Sequence, residues 1–364
     1  MTSNPEQASL WMARALKLAG RGLTTTQPNP RVGCVIVRDG DVVGEGFHER
    51  AGEPHAEVHA LRTAGDRARD AEVFVTLEPC CHFGRTPPCA DALVAAGVRK
   101  VWLAMLDPNP KVAGQGAARL REAGIEVEVG LMQAAAQQLN RGFVSRMKRG
   151  RPWVTLKLAA SLDGRTAMAS GESKWITSEA ARADVHRLRA QAGAVLTSSA
   201  TVLADDPALT VRLPEARRQP DRIVLDAHGR VSATAQVWAE GARRILLTSA
   251  QGQSSVPLGV EVSRLEPQGG TYFPLSTALA ELGRLQINEL LVECGPTLAG
   301  LMLQAEAVDE LVLYLAPSLL GERGRPLAVL PGLETLSQRL NFEWREVRAV
   351  GPDLRLMASP AVAA

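Results

Sequence analysis

The sequence predicts an α/β fold divided between two domains. Short apolar runs alternate with amphipathic helical stretches along most of the chain. A chain of 364 residues is also longer than a single hydrophobic core usually supports. The stretch at 149–152 is polar and ends in a proline, and a new apolar run begins at Trp153. We therefore predict one domain over residues 1–147 and a second over residues 152–364.

In the first half, ten segments follow the helix or strand period, in alternation with turn residues. A helix is predicted over 6–20 because glycines end its apolar stripe, and Asp39-Gly40 predicts a hairpin between two strands. The alternation predicts a largely parallel sheet. Strands are predicted at 32–37, 42–44, 73–77, 98–105 and 125–129, and further helices at 55–64, 87–97, 117–123 and 133–147.

The second half repeats the alternation without resembling the first half. Two polar stretches rich in glycine and proline, 215–220 and 249–270, are predicted to be surface loops. Strands are predicted at 153–160, 194–196, 222–225, 244–247, 287–293 and 310–315, and helices at 178–190, 275–285 and 297–305.

The composition narrows the functional class. Apolar residues make up 46%, charged residues 22%, and the net charge is +2, which is ordinary for a globular protein and unlike a basic nucleic-acid binder. The sequence contains no run of eighteen apolar residues, so no membrane span is predicted. The N-terminus has no signal-peptide pattern. Three of the five cysteines lie between 80 and 89, which favours thiolate ligands in a reducing, cytoplasmic location over disulfides.

The strongest chemical signal is a set of metal-ligand types between residues 54 and 89. His55 offers an imidazole, and Cys80 and Cys89 offer two thiolates. Three such ligands leave a zinc ion one open position for water, whose pKa the metal lowers. Glu57 would then be free to move protons. The arrangement follows the H-x-E and P-C-x-x-C signature of zinc nucleobase deaminases, with eight residues instead of two between the cysteines.

Two other kinds of zinc site share some of these residues, a metalloprotease site and a closed structural site. Residues two apart on a regular helix point to nearly opposite faces, so His55 and Glu57 share a site only if His55 stands where the helix begins. His59 one turn after His55 resembles a metalloprotease pattern, but Ala56 occupies the place of its general base. A closed structural site would take a fourth ligand, Cys81 or His82, and would leave Glu57 without a role.

Several runs resemble one family, the bifunctional deaminase–reductases of riboflavin biosynthesis, in the family's order and over almost the whole chain. The long loop between the two ligand cysteines is itself typical of that family. The matching runs are Gln27–Val35, Gly52–Ala60, Cys80–Cys89, Lys157–Arg165, Gly171–Thr177 and Thr201–Pro207.

The resemblance implies a three-layer N-terminal domain similar to cytidine deaminase. It would hydrolytically deaminate 2,5-diamino-6-ribosylamino-4(3H)-pyrimidinone 5′-phosphate. In this family His55, Cys80 and Cys89 match the zinc ligands, and Glu57 matches the catalytic proton carrier. Asn29, His48 and His82 match positions that line the substrate pocket.

The resemblance further implies a C-terminal domain similar to dihydrofolate reductase, which uses NADPH to reduce the ribosyl chain to a ribityl chain, and a homodimer. The free N–H groups of a helix starting at Gly295-Pro296 would suit a pyrophosphate. Positions that match substrate contacts are Lys157, Ser173, Arg189, Leu209, Arg212 and Glu293, and those that match cofactor contacts are Ala159, Trp175, Thr201, Asp205, Ala227, Gly295, Pro296, Thr297, Leu298, Ala299, Gly300 and Leu301.

Residue patterns alone do not reveal the nicotinamide site. No complete G-x-G-x-x-G is present, and Gly114-Gln115-Gly116 is interpreted as a turn. The alternative to the family's function is a zinc deaminase of nucleosides or RNA with a C-terminal binding module. A non-enzymatic zinc domain is a second alternative.

Overall fold

The computed structural model describes residues 4–81, 88–110, 112–249, 256–268 and 272–361. These residues form two compact units that divide between Gly150 and Arg151, inside the stretch where the sequence predicts the joint. We call them the N-terminal unit and the C-terminal unit. The described core clusters divide in the same way, one in the N-terminal unit and three in the C-terminal unit.

The N-terminal unit contains a five-stranded sheet of order β2-β1-β3-β4-β5. The prediction of a largely parallel sheet is wrong for two of its four strand pairings, because β1 runs antiparallel to its neighbours β2 and β3. The pairings β3–β4 and β4–β5 are parallel. The tight turn at Asp39-Gly40 forces the first reversal. The elements are α1 (Pro5–Gly20), β1 (Gly33–Arg38), β2 (Asp41–Phe47), α2 (Ala56–Ala64), β3 (Glu72–Val75), α3 (Cys89–Ala96), β4 (Lys100–Leu103), α4 (Gln115–Glu122), β5 (Glu126–Val129), α5 (Gln133–Leu139) and α6 (Arg141–Arg149).

Helices cover this sheet on both faces, which confirms the three-layer prediction. Successive residues of a strand point to opposite faces. A Cβ atom on Gly33 would lie 2.0 Å from the Ala15 carbonyl oxygen of α1, and one on Gly46, which pairs with Cys34, would lie 2.4 Å from the Ala56 carbonyl oxygen of α2. Glycine is therefore required for α1 and α2 to approach the sheet from its two sides.

The predicted helix over 133–147 is in fact two helices, α5 and α6, separated at Asn140. Asn140 leaves helical geometry, and its side-chain amide pairs with Arg31: Oδ1 accepts from the Arg31 N–H at 2.8 Å and Nδ2 donates to the Arg31 carbonyl at 2.9 Å. The asparagine thus holds the chain next to the Asn29-Pro30 turn.

The C-terminal unit contains a nine-stranded sheet of order β11-β10-β9-β8-β12-β6-β13-β16-β15. The first seven strands in this order are parallel, and β16 and β15 are antiparallel additions at one edge. The elements are β6 (Trp153–Ser161), β7 (Arg165–Ala167), α7 (Glu179–Gln191), β8 (Ala194–Ser198), α8 (Ser199–Asp205), β9 (Asp221–Leu225), β10 (Arg244–Ser249), β11 (Glu261–Leu265), α9 (Leu275–Arg284), β12 (Glu289–Glu293), α10 (Pro296–Gln304), β13 (Glu310–Ala316), β14 (Arg325–Pro326), β15 (Phe342–Val350) and β16 (Asp353–Pro360).

The sequence did not predict the edge strands of this sheet, or the short elements β7, α8 and β14. The interval 249–270, predicted to be a loop, contains β11, and the hairpin β15–β16 was not predicted. β11 and β15 are the two edges of the sheet, and most of their side chains are exposed. An edge strand needs no apolar run, so the sequence signal for it is weak. None of the helices among the described residues combines the length and apolar character that a membrane crossing requires.

Candidate active sites

The predicted zinc ligands lie where three elements of the N-terminal unit begin or end. His55 is the residue before α2, with extended backbone angles of φ −76° and ψ 166°, and Glu57 lies in the first turn of that helix. Cys89 is the first residue of α3, and Cys80 lies in the segment after β3. The extended backbone at His55 removes the helical constraint that would otherwise point His55 and Glu57 to opposite faces.

The three ligand atoms converge at distances that suit one zinc ion. All lie within 4.8 Å of one another. His55 Nδ1 is 3.3 Å from Cys89 Sγ and 3.6 Å from Cys80 Sγ. Zinc held at about 2.3 Å from sulfur and about 2.0 Å from nitrogen with tetrahedral angles separates these atoms by about 3.5 Å. The residues therefore fit a three-ligand zinc site.

The charge state of the cluster also suits a cation. A hydrogen bond from Cys89 holds the pKa of Cys80 at about 4, and the same hydrogen bond raises the pKa of Cys89 above its usual range. The hydrogen bond to Cys80 raises the pKa of His55. Two thiols that compete for one proton next to an imidazole form an anionic site that a divalent ion would complete.

Glu57 is a buried carboxyl group beside this cluster. The residue is 3% exposed, and its Oε2 has no hydrogen-bond partner among the residues that the structure describes. Burial raises the pKa of Glu57 to about 6, although the nearby His55 opposes the shift. A carboxyl group with this pKa can both accept and donate a proton near neutral pH.

Two predicted substrate residues are linked to the metal cluster by hydrogen bonds and ring contact. Asn29 Nδ2 lies 3.1 Å from His48 Nε2, and His48 Nδ1 lies 3.1 Å from the Pro54 carbonyl oxygen. Donation from Nδ1 to that carbonyl leaves Nε2 as the acceptor, so the amide of Asn29 is oriented by a neutral imidazole. The His48 and His55 rings meet edge to face at 5.3 Å. His82, the third predicted residue, lies outside the described residues.

Cys81 is turned away from the metal cluster. Its Sγ lies 3.7 Å from Gln115 Oε1 in α4, and burial raises the pKa of its thiol. It does not belong to the described group of converging ligand atoms. The closed structural zinc site therefore does not receive its fourth ligand from Cys81.

Glu78 holds the segment that carries Cys80, and sequence reasoning missed this role. Glu78 is 3% exposed, and its carboxylate accepts hydrogen bonds from the backbone N–H groups of Asp107, Gly114 and Ala117 at 2.9–3.0 Å. Gly114 has a φ of +92° and precedes α4, so this glycine forms the turn that presents its N–H to the Glu78 carboxylate. The available signal was a glutamate directly after an apolar strand.

In the C-terminal unit, three predicted substrate residues form one charged cluster. Arg189 donates to both carboxylate oxygens of Glu293, Nε at 2.5 Å and Nη2 at 2.9 Å. Lys157 pairs in register with Glu293 on the neighbouring strands β6 and β12, so both side chains lie on one face. Burial would raise the pKa of Glu293, but Arg189 outweighs it and holds the pKa at about 2. Burial lowers the pKa of Lys157.

The remaining predicted substrate residues, Arg212, Ser173 and Leu209, are connected to this cluster less directly. The Arg212 N–H donates to Nδ1 of His186 at 3.3 Å, and His186 lies one turn before Arg189 in α7. His186 was not among the predicted residues. Ser173 is half-buried in the segment before α7, whereas the Leu209 side chain is buried in a core cluster with a φ of +52° at its backbone.

The predicted cofactor residues follow the carboxyl edge of the parallel strands. Ala159 lies near the end of β6, Gly295 follows β12, Thr201 lies in α8 directly after β8, and Ala227 follows β9. These four strands are adjacent in the sheet in that order, β6-β12-β8-β9. The Gly295 N–H donates to Thr201 Oγ1 at 3.3 Å, so the starts of α8 and α10 meet. Ligands of open α/β sheets bind at such an edge.

The other predicted cofactor residues divide between this edge and the core. Pro296 and Thr297 form the first turn of α10, and Asp205 is exposed where α8 ends. Trp175 is 68% exposed beneath the guanidinium of Arg182. Farther along α10, Leu298 and Ala299 pack in the core, Gly300 lies so close to Val329 that a Cβ atom would be 1.8 Å from its carbonyl oxygen, and Leu301 is exposed.

Comparisons with known proteins match a different family model to each of the two units. The model of the cytidine and deoxycytidylate deaminase zinc-binding region matches residues 5–105, and that of the RibD C-terminal domain matches residues 152–356. The chain is 55% identical to the riboflavin biosynthesis protein RibD of Escherichia coli, over 96% of this chain and 98% of that protein. It is 46% identical to RibD of Haemophilus influenzae, over 97% of this chain and 98% of that protein.

Solved structures of similar proteins also match over nearly the whole chain. Acinetobacter baumannii RibD, form 1, matches with a TM-score of 0.90 at 46% identity, covering 99% of this chain and all of that one. A deaminase and 5-amino-6-(5-phosphoribosylamino)uracil reductase from Thermotoga maritima matches with a TM-score of 0.88 at 33% identity, over 98% and 99% of the two chains. The chain therefore belongs to the RibD family of riboflavin biosynthesis proteins, in which a zinc-binding deaminase region is followed by a reductase domain.

Proposed function

We propose that the N-terminal unit deaminates 2,5-diamino-6-ribosylamino-4(3H)-pyrimidinone 5′-phosphate and that the C-terminal unit reduces the product to 5-amino-6-(5-phosphoribitylamino)uracil. Zinc and NADPH are the cofactors that fit these two domains. The observation that supports deamination best is Glu57, a buried carboxyl group beside three converging zinc-ligand atoms.

Each residue of the N-terminal site has a separate task in the proposed deamination. His55, Cys80 and Cys89 would hold zinc, which lowers the pKa of a bound water when present. Glu57 would accept a proton from the attacking water and pass it to the ring nitrogen. It would then carry a second proton, from the hydroxyl group added to the ring carbon, to the departing ammonia. Asn29, fixed by His48, presents its amide to the edge of the pyrimidine.

The substitution Glu57→Gln tests this assignment. Because glutamine keeps the size of the side chain but cannot carry the proton, ammonia release should fall by roughly 100-fold or more. Zinc content, measured by elemental analysis, should stay at one ion per chain, and reduction of the deaminated substrate should continue at the wild-type rate. Retained ammonia release in a zinc-loaded E57Q protein would contradict the mechanism.

The C-terminal site is proposed to bind the phosphorylated ribose chain next to the nicotinamide. Bound NADPH supplies the hydride. Arg189 and Arg212 offer positive charge for the phosphate, and Lys157 and Glu293 form a charged pair beside the reacting carbon. The starts of α8 and α10 offer backbone N–H groups to the pyrophosphate of the cofactor.

An assay that follows ammonia and NADPH together tests the order of the two reactions. The purified protein is given the diamino-pyrimidinone ribosyl phosphate with and without NADPH. We expect ammonia in both cases and NADPH oxidation only after deamination. Ammonia without any NADPH oxidation would support the alternative of a deaminase with a binding module, which the RibD C-terminal domain match over 152–356 disfavours.

The remaining partner assignments are also proposals. We infer a homodimer built through the C-terminal unit, because edge strand β15 exposes Trp344 and Val347. Sedimentation of the wild type and of W344E should separate a dimer from a monomer. The net charge of +2 and the five free cysteines support a cytoplasmic enzyme that binds no nucleic acid.

A further inference from the structure

A buried tyrosine lies next to the charged cluster of the C-terminal unit. Tyr314 in β13 is 1% exposed, and the Lys157 ammonium lies 5.8 Å from the centre of its ring. The strand register explains this contact, because Lys157 pairs with Val312 and Tyr314 is two residues farther along on the same face. On the other side of β6, Lys157 pairs with Glu293 of β12. The lysine therefore stands between an aromatic ring and a carboxylate.

The hydroxyl group of Tyr314 is fixed by a second buried carboxylate. It donates to Asp184 Oδ2 at 2.7 Å, and Asp184 in α7 is 3% exposed. The same carboxylate accepts from Arg355 Nη1 at 2.9 Å and from Arg348 Nη2 at 3.2 Å, both in the β15–β16 hairpin. Burial and the bond to Asp184 raise the pKa of Tyr314, so its hydroxyl group stays a donor. The ring is thus held in one orientation from α7 and from the hairpin.

The surroundings of Lys157 give this ring a task. Burial lowers the pKa of Lys157, and the positive charge of Arg189 acts in the same direction, whereas Glu293 opposes them. The Glu293 carboxylate already receives two hydrogen bonds from Arg189. The negative face of an aromatic ring attracts an ammonium ion within about 6 Å of its centre. Tyr314 therefore offsets part of the cost of burying the Lys157 charge and gives the ammonium a defined place.

We propose that Tyr314 is a positioning residue of the reductase, whose ring holds the Lys157 ammonium beside Glu293. The inference rests on the proposed reductase function, and it adds to that site a residue that acts through Lys157. A lysine has a long side chain with many rotamers, so a ring that fixes its ammonium removes disorder that would otherwise oppose the reactive arrangement.

Substitutions in the full chain test the proposal through NADPH oxidation with the deaminated substrate. Tyr314→Leu removes the ring, so kcat should fall by roughly ten- to thirtyfold, with KM for NADPH within about twofold. Tyr314→Phe keeps the ring and should stay within about threefold of wild type. Val185→Ala is the matched control, because Val185 packs in the same core cluster as Tyr314 and has no ring. If Y314F or V185A were as slow as Y314L, the proposal would be overturned.

A fluorinated ring separates the attraction for the ammonium from packing, even where leucine at this position disturbs the fold. Fluorine withdraws electron density from the ring face and leaves the size of the side chain nearly unchanged. Replacing phenylalanine by trifluorophenylalanine at position 314 should lower kcat by roughly tenfold, because the ring no longer attracts the ammonium. Equal rates for the two proteins would show that the ring acts by packing alone and would overturn the proposal.

A double-mutant cycle tests whether Tyr314 acts through Lys157. In a Lys157→Met background the ring has no ammonium to hold, so adding Y314L should change kcat by less than about twofold. The dissociation constant of the deaminated substrate, measured without NADPH, gives the same comparison if turnover is too slow. Losses that multiply, or a K157M protein as fast as wild type, would overturn the inference alone. A wild type that oxidises no NADPH with the deaminated substrate would overturn the reductase function itself.

Discussion

Glu57 and Glu293 are both buried carboxyl groups, but their surroundings move their pKa values in opposite directions. Burial raises the pKa of Glu57 to about 6, and its Oε2 has no hydrogen-bond partner within the described part of the chain. The Glu293 side chain is 13% exposed, and the bidentate Arg189 guanidinium holds its pKa at about 2. The first group can exchange protons near neutral pH, whereas the second is a permanent anion that positions a cation.

The low pKa of Glu293 predicts a pH dependence of stability. Because the folded pKa is about 2 and the unfolded value is 4.5, the ion pair stabilises the fold above about pH 4.5, and this stabilisation is lost as the pH falls towards 2. A shift of this size corresponds to about 3 kcal/mol. Glu293→Gln should therefore lower the free energy of unfolding most at neutral pH, with the difference from wild type shrinking below pH 4.5.

Urea unfolding at several pH values measures this difference. Glu215→Gln, at an exposed position of the same unit, is the control and should leave the unfolding curves unchanged. A difference between E293Q and wild type that stays constant from pH 7 to pH 3 would show that Glu293 is not the titrating group.

At the scale of elements, the zinc cluster depends on how helix starts are held. The starts of α2 and α3 supply His55 and Cys89, and the segment of Cys80 is fixed to the start of α4 by the hydrogen bonds of Glu78. At Gly116 in α4, a Cβ atom would lie 2.1 Å from the Pro79 carbonyl oxygen. The backbone next to Cys80 and the helix therefore touch without room for a side chain.

Gly116→Ala is expected to displace Cys80 because the contact is with backbone, which cannot rotate away. We predict at least a roughly tenfold loss of zinc affinity in a chelator competition, together with weaker deamination. Gly20→Ala is the matched control, since a Cβ atom there has no neighbour within 4 Å. Wild-type zinc affinity in G116A would show that α4 does not position the ligand.

At the scale of the whole molecule, each unit has its own core and its own candidate site. The described core residues of the N-terminal unit end at Phe143, and those of the C-terminal unit begin at Val154. Among the described residues, the converging zinc-ligand atoms belong to the first unit, so removal of the metal should affect the two activities unequally.

Chelation of zinc from the intact chain should stop ammonia release while NADPH oxidation with the deaminated substrate continues. Because ligand binding stabilises only the unit that contains the site, thermal unfolding should show one transition shifted to lower temperature and one unchanged. Calorimetry with and without added zinc measures both. A shift of both transitions by the same amount would contradict independent units.

Much of the fold and of the zinc site could be predicted from the sequence, because the residues that carry the chemistry lie in short local patterns. The metal-ligand types His55, Cys80 and Cys89, the proposed proton carrier Glu57 and the alternation of strands and helices could all be recognised without coordinates. The family followed from runs that keep one order over the chain, and the comparisons confirm it.

The contacts between residues far apart in the sequence became visible with the three-dimensional structure. The pairing of Arg189 with Glu293, 104 residues apart, and the contact of Arg230 with Ser199 leave no local pattern, because they depend on the order of the strands in the sheet. Edge strands β11 and β15 escaped prediction for a related reason: their stability comes from a neighbouring strand and not from an apolar run of their own.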